Sequence, residues 1–260
     1  MKLSHRHIDL RLAHTFTISR SSHDTRPGVI VKFEHDGLAG LGEAAPSARY
    51  GESSSTVADF LETIDLRKFK SPFELEDILS YVAGVAEGNN AAKAAVDISL
   101  HDWVGKRLGV PLWKLWGLSR GKAPVTTFTI GIDSPRIVEQ KIREAEPYPI
   151  LKVKVGVPGD KRLVATIRKI TGKRIIVDAN EGWKSKEEAR DMILWLEEQG
   201  VDLVEQPLRA GDLEGTAWLR GHVHVPLFAD EDAGGPADLP RLRGVFDGIN
   251  IKLMKCGGLR

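Results

Sequence analysis

Short, continuous apolar runs alternate with helix-like segments over the second half of the chain, from about residue 123 onward. The clearest runs lie just before Lys152, Asp178, Glu205, Asp230 and Lys252. A continuous apolar run is typical of a strand that is covered on both faces, as strands of parallel sheets are. Strand–helix alternation therefore predicts an α/β fold with a parallel sheet and crossover helices.

The first part of the chain has a different pattern. Two short strands are predicted at 29–33 and 38–43, joined at Asp36-Gly37, a dipeptide that favours a tight hairpin turn. An Ala-rich segment over 90–107 has apolar residues at helical spacing and ends before Gly109. Strands followed by helices indicate an α+β domain at 1–120, which precedes a second domain at 121–260.

Six strand–helix units can be counted in the second domain, whereas a closed (β/α) barrel has eight. The sequence stops at Arg260, directly after the sixth predicted strand. We therefore expect a modified (β/α) barrel of which about six of the eight units are present. The chain is then interpreted as a fragment that would be unstable or inactive alone.

Charged residues recur about every 25 residues at the ends of these apolar runs, close to the length of one strand, one loop and one helix. In chain order they are Lys152, Lys154, Asp178, Glu205, Asp230 and Lys252. In a (β/α) barrel the carboxyl ends of the strands meet at one mouth, where active sites lie. The pattern therefore predicts one site with three carboxylates and amines on either side.

The three carboxylates are candidate ligands of a divalent metal. Asp178, Glu205 and Asp230 would raise one another's pKa if they lay together without a compensating charge. Mg²⁺ prefers oxygen ligands and keeps positions open for water or substrate. Any one of these acids alone would be read as a solvated charge at a strand end. Three in consecutive units predict a Mg²⁺ site.

The lysines are candidate proton-transfer groups. Lys152 and Lys154 are two residues apart on a strand, so their side chains point to the same face. A lysine beside other cations can have a pKa lowered to about 7–8 and serve as a general base. Lys252 would approach from the opposite side. Lys255 is its rival, but it lies beside the Gly257-Gly258 turn, so a structural role is predicted for it.

Composition narrows the class of protein. The net charge is +1 over 260 residues, which gives no electrostatic reason to expect nucleic acid or an anionic membrane as a partner. The single cysteine, Cys256, cannot form an intrachain disulfide, and no segment resembles a signal peptide or a membrane span. A soluble, cytoplasmic protein is the expectation.

In this order, the motifs resemble the enolase superfamily, its muconate-lactonizing subgroup, and within that subgroup the dipeptide epimerases of L-Ala-D/L-Glu type. The motifs are Leu-Lys-Val-Lys-Val-Gly, Val-Asp-Ala-Asn-Glu-Gly-Trp, Val-Glu-Gln-Pro-Leu, Ala-Asp-Glu and Asn-Ile-Lys-Leu-Met-Lys-Cys-Gly-Gly. A further segment at 40–52, Gly-Leu-Gly-Glu-Ala-Ala-Pro-Ser-Ala-Arg-Tyr-Gly-Glu, also favours the dipeptide epimerases. The resemblance extends over essentially the whole chain.

The resemblance implies a capping α+β domain on a modified (β/α) barrel, with Mg²⁺ held by Asp178, Glu205 and Asp230. It also implies that Lys154 and Lys252 exchange the α-proton of a carboxylate substrate, for which a dipeptide is expected, while Lys152 stabilises the enediolate. Segments 14–26 and 47–55 match the family's mobile loops. Arg20 and Thr129 match substrate-contacting residues, and a homo-oligomer is possible.

Two alternatives stay open at this point. The same acids and lysines occur in o-succinylbenzoate synthase and muconate cycloisomerase, lyase or cycloisomerase reactions that need only one base. A different class of function is a non-catalytic, truncated barrel that serves as an interaction module.

Overall fold

The computed structural model describes residues 1–260, which form two compact units. The first unit comprises 1–11, 25–123 and 252–260, and the second comprises 12–24 and 124–251. The first three strands and four helices are β1 (Lys2–Ile18), β2 (Ser21–His35), β3 (Leu38–Ala44), α1 (Ser54–Glu62), α2 (Leu75–Val85), α3 (Asn90–Leu108) and α4 (Leu112–Leu115).

Strands β2 and β3 form the predicted antiparallel hairpin. Its register runs from Val29 opposite Ala44 to His35 opposite Leu38. The two turn residues have positive φ angles, 48° at Asp36 and 72° at Gly37. This conformation suits the two-residue turn that matches the right-handed twist of the strands. The hairpin prediction is confirmed.

Helix α3 is the centre of the first unit. Its Ala-rich surface is buried, and β3 approaches it so closely that a side chain would not fit at two positions. A Cβ atom on Gly40 would lie 2.0 Å from the carbonyl oxygen of Ser99, and one on Gly42 would lie 1.9 Å from that of Ala95. Alanines on the helix and glycines on the strand together allow this backbone contact. Helix α3 ends at Leu108 and is followed by Gly109, which has the left-handed conformation of a common C-terminal cap.

The second unit is built from alternating strands and helices. Its elements are β4 (Thr127–Ile130), α5 (Pro135–Glu144), β5 (Ile150–Lys154), α6 (Asp160–Ile170), β6 (Arg174–Asp178), α7 (Lys186–Glu198), β7 (Val201–Glu205), α8 (Leu213–Arg220), β8 (Leu227–Ala229), α9 (Leu239–Leu242) and β9 (Gly248–Ile249). All six strands are parallel and stand in sequence order. The predicted α/β class with a parallel sheet is confirmed.

Register places the charged ends of the strands at one edge of this sheet. Lys154 is paired with Asp178, and Asp178 with Glu205. Behind them the strands contribute fully buried apolar residues, including Leu151, Val177 and Val204, to the core of the unit. Apolar side chains cover both faces of the short strands, which is why the runs are continuous in the sequence.

Two expectations about local structure are wrong. The segment 14–26, which was expected to be a loop, forms the far end of a long hairpin in which β1 runs to Ile18 and β2 starts at Ser21. Lys252 does not continue the sixth strand. Strand β9 ends at Ile249 because β8, the strand that pairs with it, itself ends at Ala229. Lys252 instead precedes a one-turn helix, α10 (Leu253–Cys256).

None of the helices combines the length and apolar character that a membrane crossing requires.

Candidate active site

Three carboxylates converge at the edge where the parallel strands end. Asp178 is the last residue of β6, Glu205 is the last residue of β7, and Asp230 follows β8 directly. One oxygen from each lies within 4.8 Å of the others, and all three side chains are buried. Consecutive parallel strands that end at the same level produce this grouping.

Two lysines from β5 contact these acids. The Lys152 ammonium donates to Glu205 Oε2 at 2.6 Å and lies 3.0 Å from Asp178 Oδ2. Lys154 Nζ donates to Asp178 Oδ2 at 2.6 Å and to Asn180 Oδ1 at 2.9 Å. Both lysines lie on the same face of the strand, as their spacing predicts. The structure therefore brings together five of the predicted site residues.

Burial and charge act differently on the two lysines. Burial alone would lower the pKa of Lys152, but the negative charges of Asp178 and Glu205 outweigh it, so this pKa is raised. The pKa of Lys154 is lowered, first by burial and then by the positive charge of Lys152, although Asp178 opposes this. Lys152 is therefore held as an ammonium, and Lys154 is the lysine that deprotonates more easily.

The pKa values of Asp178 and Glu205 are shifted in opposite directions. Burial would raise the pKa of Asp178, but Lys154 and Lys152 outweigh it, so the pKa of Asp178 is lowered. The pKa of Glu205 is raised by burial and by the negative charge of Asp178. Two buried acids that lie close together repel each other. A bound divalent cation relieves this repulsion because its positive charge compensates both carboxylates. With three carboxylate oxygens in reach of one another, the residues fit a Mg²⁺ ion.

Asn180 links the Asp178 strand end to its surroundings. It adopts a left-handed backbone conformation with φ 45°, and its N–H donates to Asp178 Oδ1 at 2.9 Å. Its side-chain oxygen accepts from Lys154, while its Nδ2 lies 3.3 Å from Glu231 Oε1. This turn orients the Asp178 carboxylate and the Lys154 ammonium together.

A buried amide, Gln206, holds the backbone at Asp230. Gln206 Oε1 accepts from the N–H groups of Asp230 at 3.0 Å and Asp232 at 3.2 Å. Its Nε2 donates to Asp232 Oδ2 at 2.8 Å and to the Leu208 carbonyl at 3.0 Å. The side chain is fully buried, so it rigidly connects the end of β7 to the turn after β8.

Asn250 supports the remaining acid. Its Nδ2 donates to Glu205 Oε1 at 2.9 Å, and its N–H donates to the carbonyl of Ala229 at 2.7 Å. Sequence reasoning missed Asn180, Gln206 and Asn250. Their positions in the sequence could have indicated two of them. Asn180 lies two residues after Asp178, and Gln206 lies one residue after Glu205, at strand ends where metal ligands need supporting hydrogen bonds.

The other predicted site residues lie as follows. Arg20, at the turn of the β1–β2 hairpin, donates to the Asn180 carbonyl at 2.9 Å and to Glu231 Oε1 at 2.6 Å. Thr129 lies on β4, half-buried, in register with Lys152. Both belong to the second unit, together with the acids and the β5 lysines. Lys252, in contrast, is grouped with the first unit.

The chain is similar to known proteins over nearly its whole length. Residues 4–117 match the family described as mandelate racemase / muconate lactonizing enzyme, N-terminal domain. Residues 136–260 match the family described as enolase C-terminal domain-like. The L-Ala-D/L-Glu epimerase of Bacteroides thetaiotaomicron is 48% identical over 261 residues, which cover 100% of this chain and 68% of that protein.

Solved structures of epimerases are also similar to this chain. The substrate-liganded L-Ala-D/L-Glu epimerase from Bacillus subtilis superposes with a TM-score of 0.92 at 30% identity, covering 99% of this chain and 76% of that one. The dipeptide epimerase from Enterococcus faecalis, complexed with Mg and L-Leu-L-Tyr, gives a TM-score of 0.88 at 32% identity, covering 98% and 75%. The predicted resemblance to the enolase superfamily and to its epimerases is confirmed.

Proposed function

This chain belongs to the enolase superfamily, in the mandelate racemase / muconate lactonizing enzyme family, and on that premise we propose that it is a Mg²⁺-dependent epimerase. Its substrate would be a carboxylate with an exchangeable α-proton, and a dipeptide of the Ala-Glu type is the proposed compound. The relatives that support this proposal are named as epimerases, which are isomerases.

The observation that carries the proposal is the contact between the β5 lysines and the three strand-end acids. A buried acid cluster could be purely structural, but a structural cluster would not need a lysine whose pKa is lowered beside one whose pKa is raised. Groups whose environments push their pKa values apart are the usual sign of an acid–base assignment.

Asp178, Glu205 and Asp230 would hold the metal. Bound there, Mg²⁺ would supply positive charge beside the substrate carboxylate and so favour negative charge on it. Asn180 and Asn250 donate to the carboxylates of Asp178 and Glu205, and Gln206 holds the backbone that carries Asp230. Outer partners of this kind typically change metal affinity by about 10- to 100-fold when they are removed.

We assign proton transfer to two lysines. The neutral Lys154 amine would take the α-proton from one face of the substrate, leaving the electron pair in an enediolate. Lys252, as an ammonium, would return a proton to the other face, which inverts the carbon. Lys152 stays cationic and would stabilise the negative charge as it develops. In the reverse direction Lys252 and Lys154 exchange roles.

Two further residues are proposed to contact the substrate. Arg20 carries a guanidinium at the hairpin turn, and its side chain is 36% exposed, so it can reach a carboxylate in solution. Thr129 would contribute a hydroxyl from the strand next to Lys152. Neither group transfers a proton in this proposal, so their removal would raise KM more than it lowers kcat.

Incubation of the protein with L-Ala-D-Glu or L-Ala-L-Glu in D₂O, with and without Mg²⁺, tests the proposal. The expected result is Mg²⁺-dependent entry of deuterium at the glutamyl α-carbon together with formation of the other epimer, followed by proton NMR. Exchange is the decisive readout because it reports proton removal even when little product accumulates. Absence of exchange over a panel of dipeptides would favour the one-base lyase or cycloisomerase reactions.

A further inference from the structure

Helix α3 holds the segment 252–260, which begins with Lys252. The carbonyl of Lys252 accepts from the N–H groups of Lys255 at 2.8 Å and Cys256 at 3.1 Å. The backbone of Lys252 is therefore fixed to the single turn of α10. Met254 packs on the core of the first unit, and Lys255 is buried. The position of Lys252 thus depends on what holds α10 in place.

Two side chains of α3 bind this segment, one near its middle and one at its last two residues. Asn90 Nδ2 donates to the carbonyl of Lys255 at 2.6 Å. Asp97 Oδ2 accepts from the N–H of Leu259 at 2.7 Å and from that of Arg260 at 3.1 Å. Asp97 is 2% exposed, so these are buried, charge-assisted hydrogen bonds, which are stronger than neutral ones.

The Gly257-Gly258 pair lets the backbone reach Asp97. Both glycines have positive φ angles, 91° and 141°. A Cβ atom on Gly258 would lie 2.1 Å from Asp97 Oδ2, a distance that no side chain can adopt. Gly258 is thus required by the approach of the chain to the carboxylate, and Gly257 by its positive φ angle; the turn directs the next two N–H groups toward Asp97.

The Asp97 carboxylate is itself fixed in orientation. Its Oδ1 contacts Nδ1 of His101, one turn further along α3, and the same ring nitrogen lies 3.0 Å from the Asp97 carbonyl. The His101 ring is buried and stands edge-on to Trp116, with centroids 5.5 Å apart. One oxygen is therefore occupied by His101, and the other faces the segment.

We propose that Asp97 is a positioning residue for Lys252: its buried carboxylate, oriented by His101, anchors the segment 252–260 on α3 and so fixes the amine that serves the second face of the substrate. The inference rests on the proposed function for the role of Lys252. The anchoring itself depends only on contacts within the first unit. Misplacement of a catalytic group by about 1 Å can cost on the order of 100-fold in rate, so an anchor of this kind matters to catalysis.

The central test is the variant Asp97→Asn, since an amide is nearly the same size but lacks the charge. Gly258→Ala is the second variant, because it disturbs the same contact from the other side and leaves α3 unchanged. Asp102→Asn is the matched control: Asp102 lies on the same helix and accepts from the N–H of Leu41 at 2.7 Å, and no contact joins it to the segment. Each variant is compared with Lys252→Ala.

Two readouts are measured. The first is α-proton exchange in D₂O, started separately from each pure Ala-Glu epimer. The epimer whose exchange is lost in Lys252→Ala is the one that Lys252 deprotonates. Asp97→Asn and Gly258→Ala should slow exchange of that epimer by about 10- to 100-fold and change the other by less than about threefold. Asp102→Asn should leave the ratio of the two rates unchanged.

The second readout is amide hydrogen exchange of the peptide 252–260, which does not require activity. It should become at least about tenfold faster in Asp97→Asn and Gly258→Ala, and stay the same in Asp102→Asn. Unchanged amide exchange in both variants would overturn the anchor. Equal slowing of both epimers would overturn the specific link to Lys252. A wild-type protein that exchanges neither epimer would instead count against the proposed function, while the amide exchange still decides the anchor.

Discussion

Lys152 Nζ lies 2.6 Å from Glu205 Oε2, a contact that joins β5 to β7 across the strand between them. Asp178, at the end of that middle strand, lies 3.0 Å from the same ammonium. One cation thus compensates two acids that would otherwise repel each other. Such a buried arrangement is costly to break, because the partner that remains is an uncompensated charge.

Replacing the ammonium tests this relationship. Without Mg²⁺, Lys152→Met should lower the free energy of unfolding by about 3 kcal/mol, since Glu205 and Asp178 lose their shared partner. Mg²⁺ should then stabilise the variant more than the wild type, because the metal replaces the missing charge. Urea unfolding with and without Mg²⁺ measures both effects.

The matched control is Arg174→Met, which removes the exposed ion pair of Arg174 with Asp202 on the neighbouring strands β6 and β7. Exposed pairs of this kind contribute about 0–1 kcal/mol, so little change is expected. If Lys152→Met were as stable as this control and equally responsive to Mg²⁺, the electrostatic account of the site would be wrong.

Metal binding should depend on each of the three acids. Asp178→Asn, Glu205→Gln and Asp230→Asn should each weaken Mg²⁺ binding by at least about 100-fold, because each removes a charged oxygen ligand. Isothermal titration calorimetry measures this directly. Asp202→Asn, on the same strand as Glu205 but paired with Arg174 at the exposed surface, should bind Mg²⁺ as the wild type does. Retained affinity in all three variants would remove the metal from the proposal.

Gln206 should affect both stability and metal affinity. Gln206→Leu leaves the buried N–H groups of Asp230 and Asp232 without their acceptor, at a cost of about 1–3 kcal/mol in unfolding free energy. Because the backbone that carries Asp230 loses this support, Mg²⁺ affinity should fall by about 10- to 100-fold.

Gln206→Glu makes the comparison informative, since it keeps the acceptor oxygen but removes the N–H donor to Asp232 and to the Leu208 carbonyl. It should retain a larger part of the Mg²⁺ affinity than Gln206→Leu. Equal Mg²⁺ affinity in Gln206→Leu and the wild type would show that Asp230 is oriented by other groups.

Prediction from the sequence succeeded where the pattern is local. The apolar run and its charged end placed Asp178 and Glu205 at the ends of strands, and this is where the structure has them. Such features depend on periodicity and on turn residues within one short segment. The Asp36-Gly37 hairpin is another example, because the positive φ angles favour these two residue types.

Prediction failed where distant segments decide the outcome. The length of β9 is set by its pairing with β8, so the position of Lys252 beyond the strand could not be deduced from its own apolar neighbours. Most residues of β1 are exposed or half-buried, so its sequence lacks the apolar pattern of a buried strand. The strand forms because it pairs with β2. The Gln206 network also lay outside sequence reasoning, because it joins groups 26 residues apart.

The stability of the protein should depend on pH through His101. Burial would lower the pKa of His101, but contact with the Asp97 carboxylate outweighs it, so the pKa is raised in the folded state. The protonated ring therefore contributes stability that is fully present below the unfolded pKa of about 6.5 and is lost as pH rises through the folded value.

Urea midpoints should fall as the pH rises above the unfolded pKa of about 6.5, and His101→Gln should flatten this slope. Asp97→Asn should flatten it as well, since it removes the charge that raises the pKa. A wild-type slope that persists unchanged in His101→Gln would assign the effect to other groups.

The most direct measurement of the central claim compares Lys154→Ala with Lys252→Ala in D₂O, starting from each pure Ala-Glu epimer. If the two lysines serve opposite faces of one carbon, each variant loses epimerisation but still exchanges the α-proton of one epimer, and the two variants retain opposite epimers. Exchange that survives for the same epimer in both variants, or that is lost for both epimers in one variant and for neither in the other, would contradict the two-lysine account.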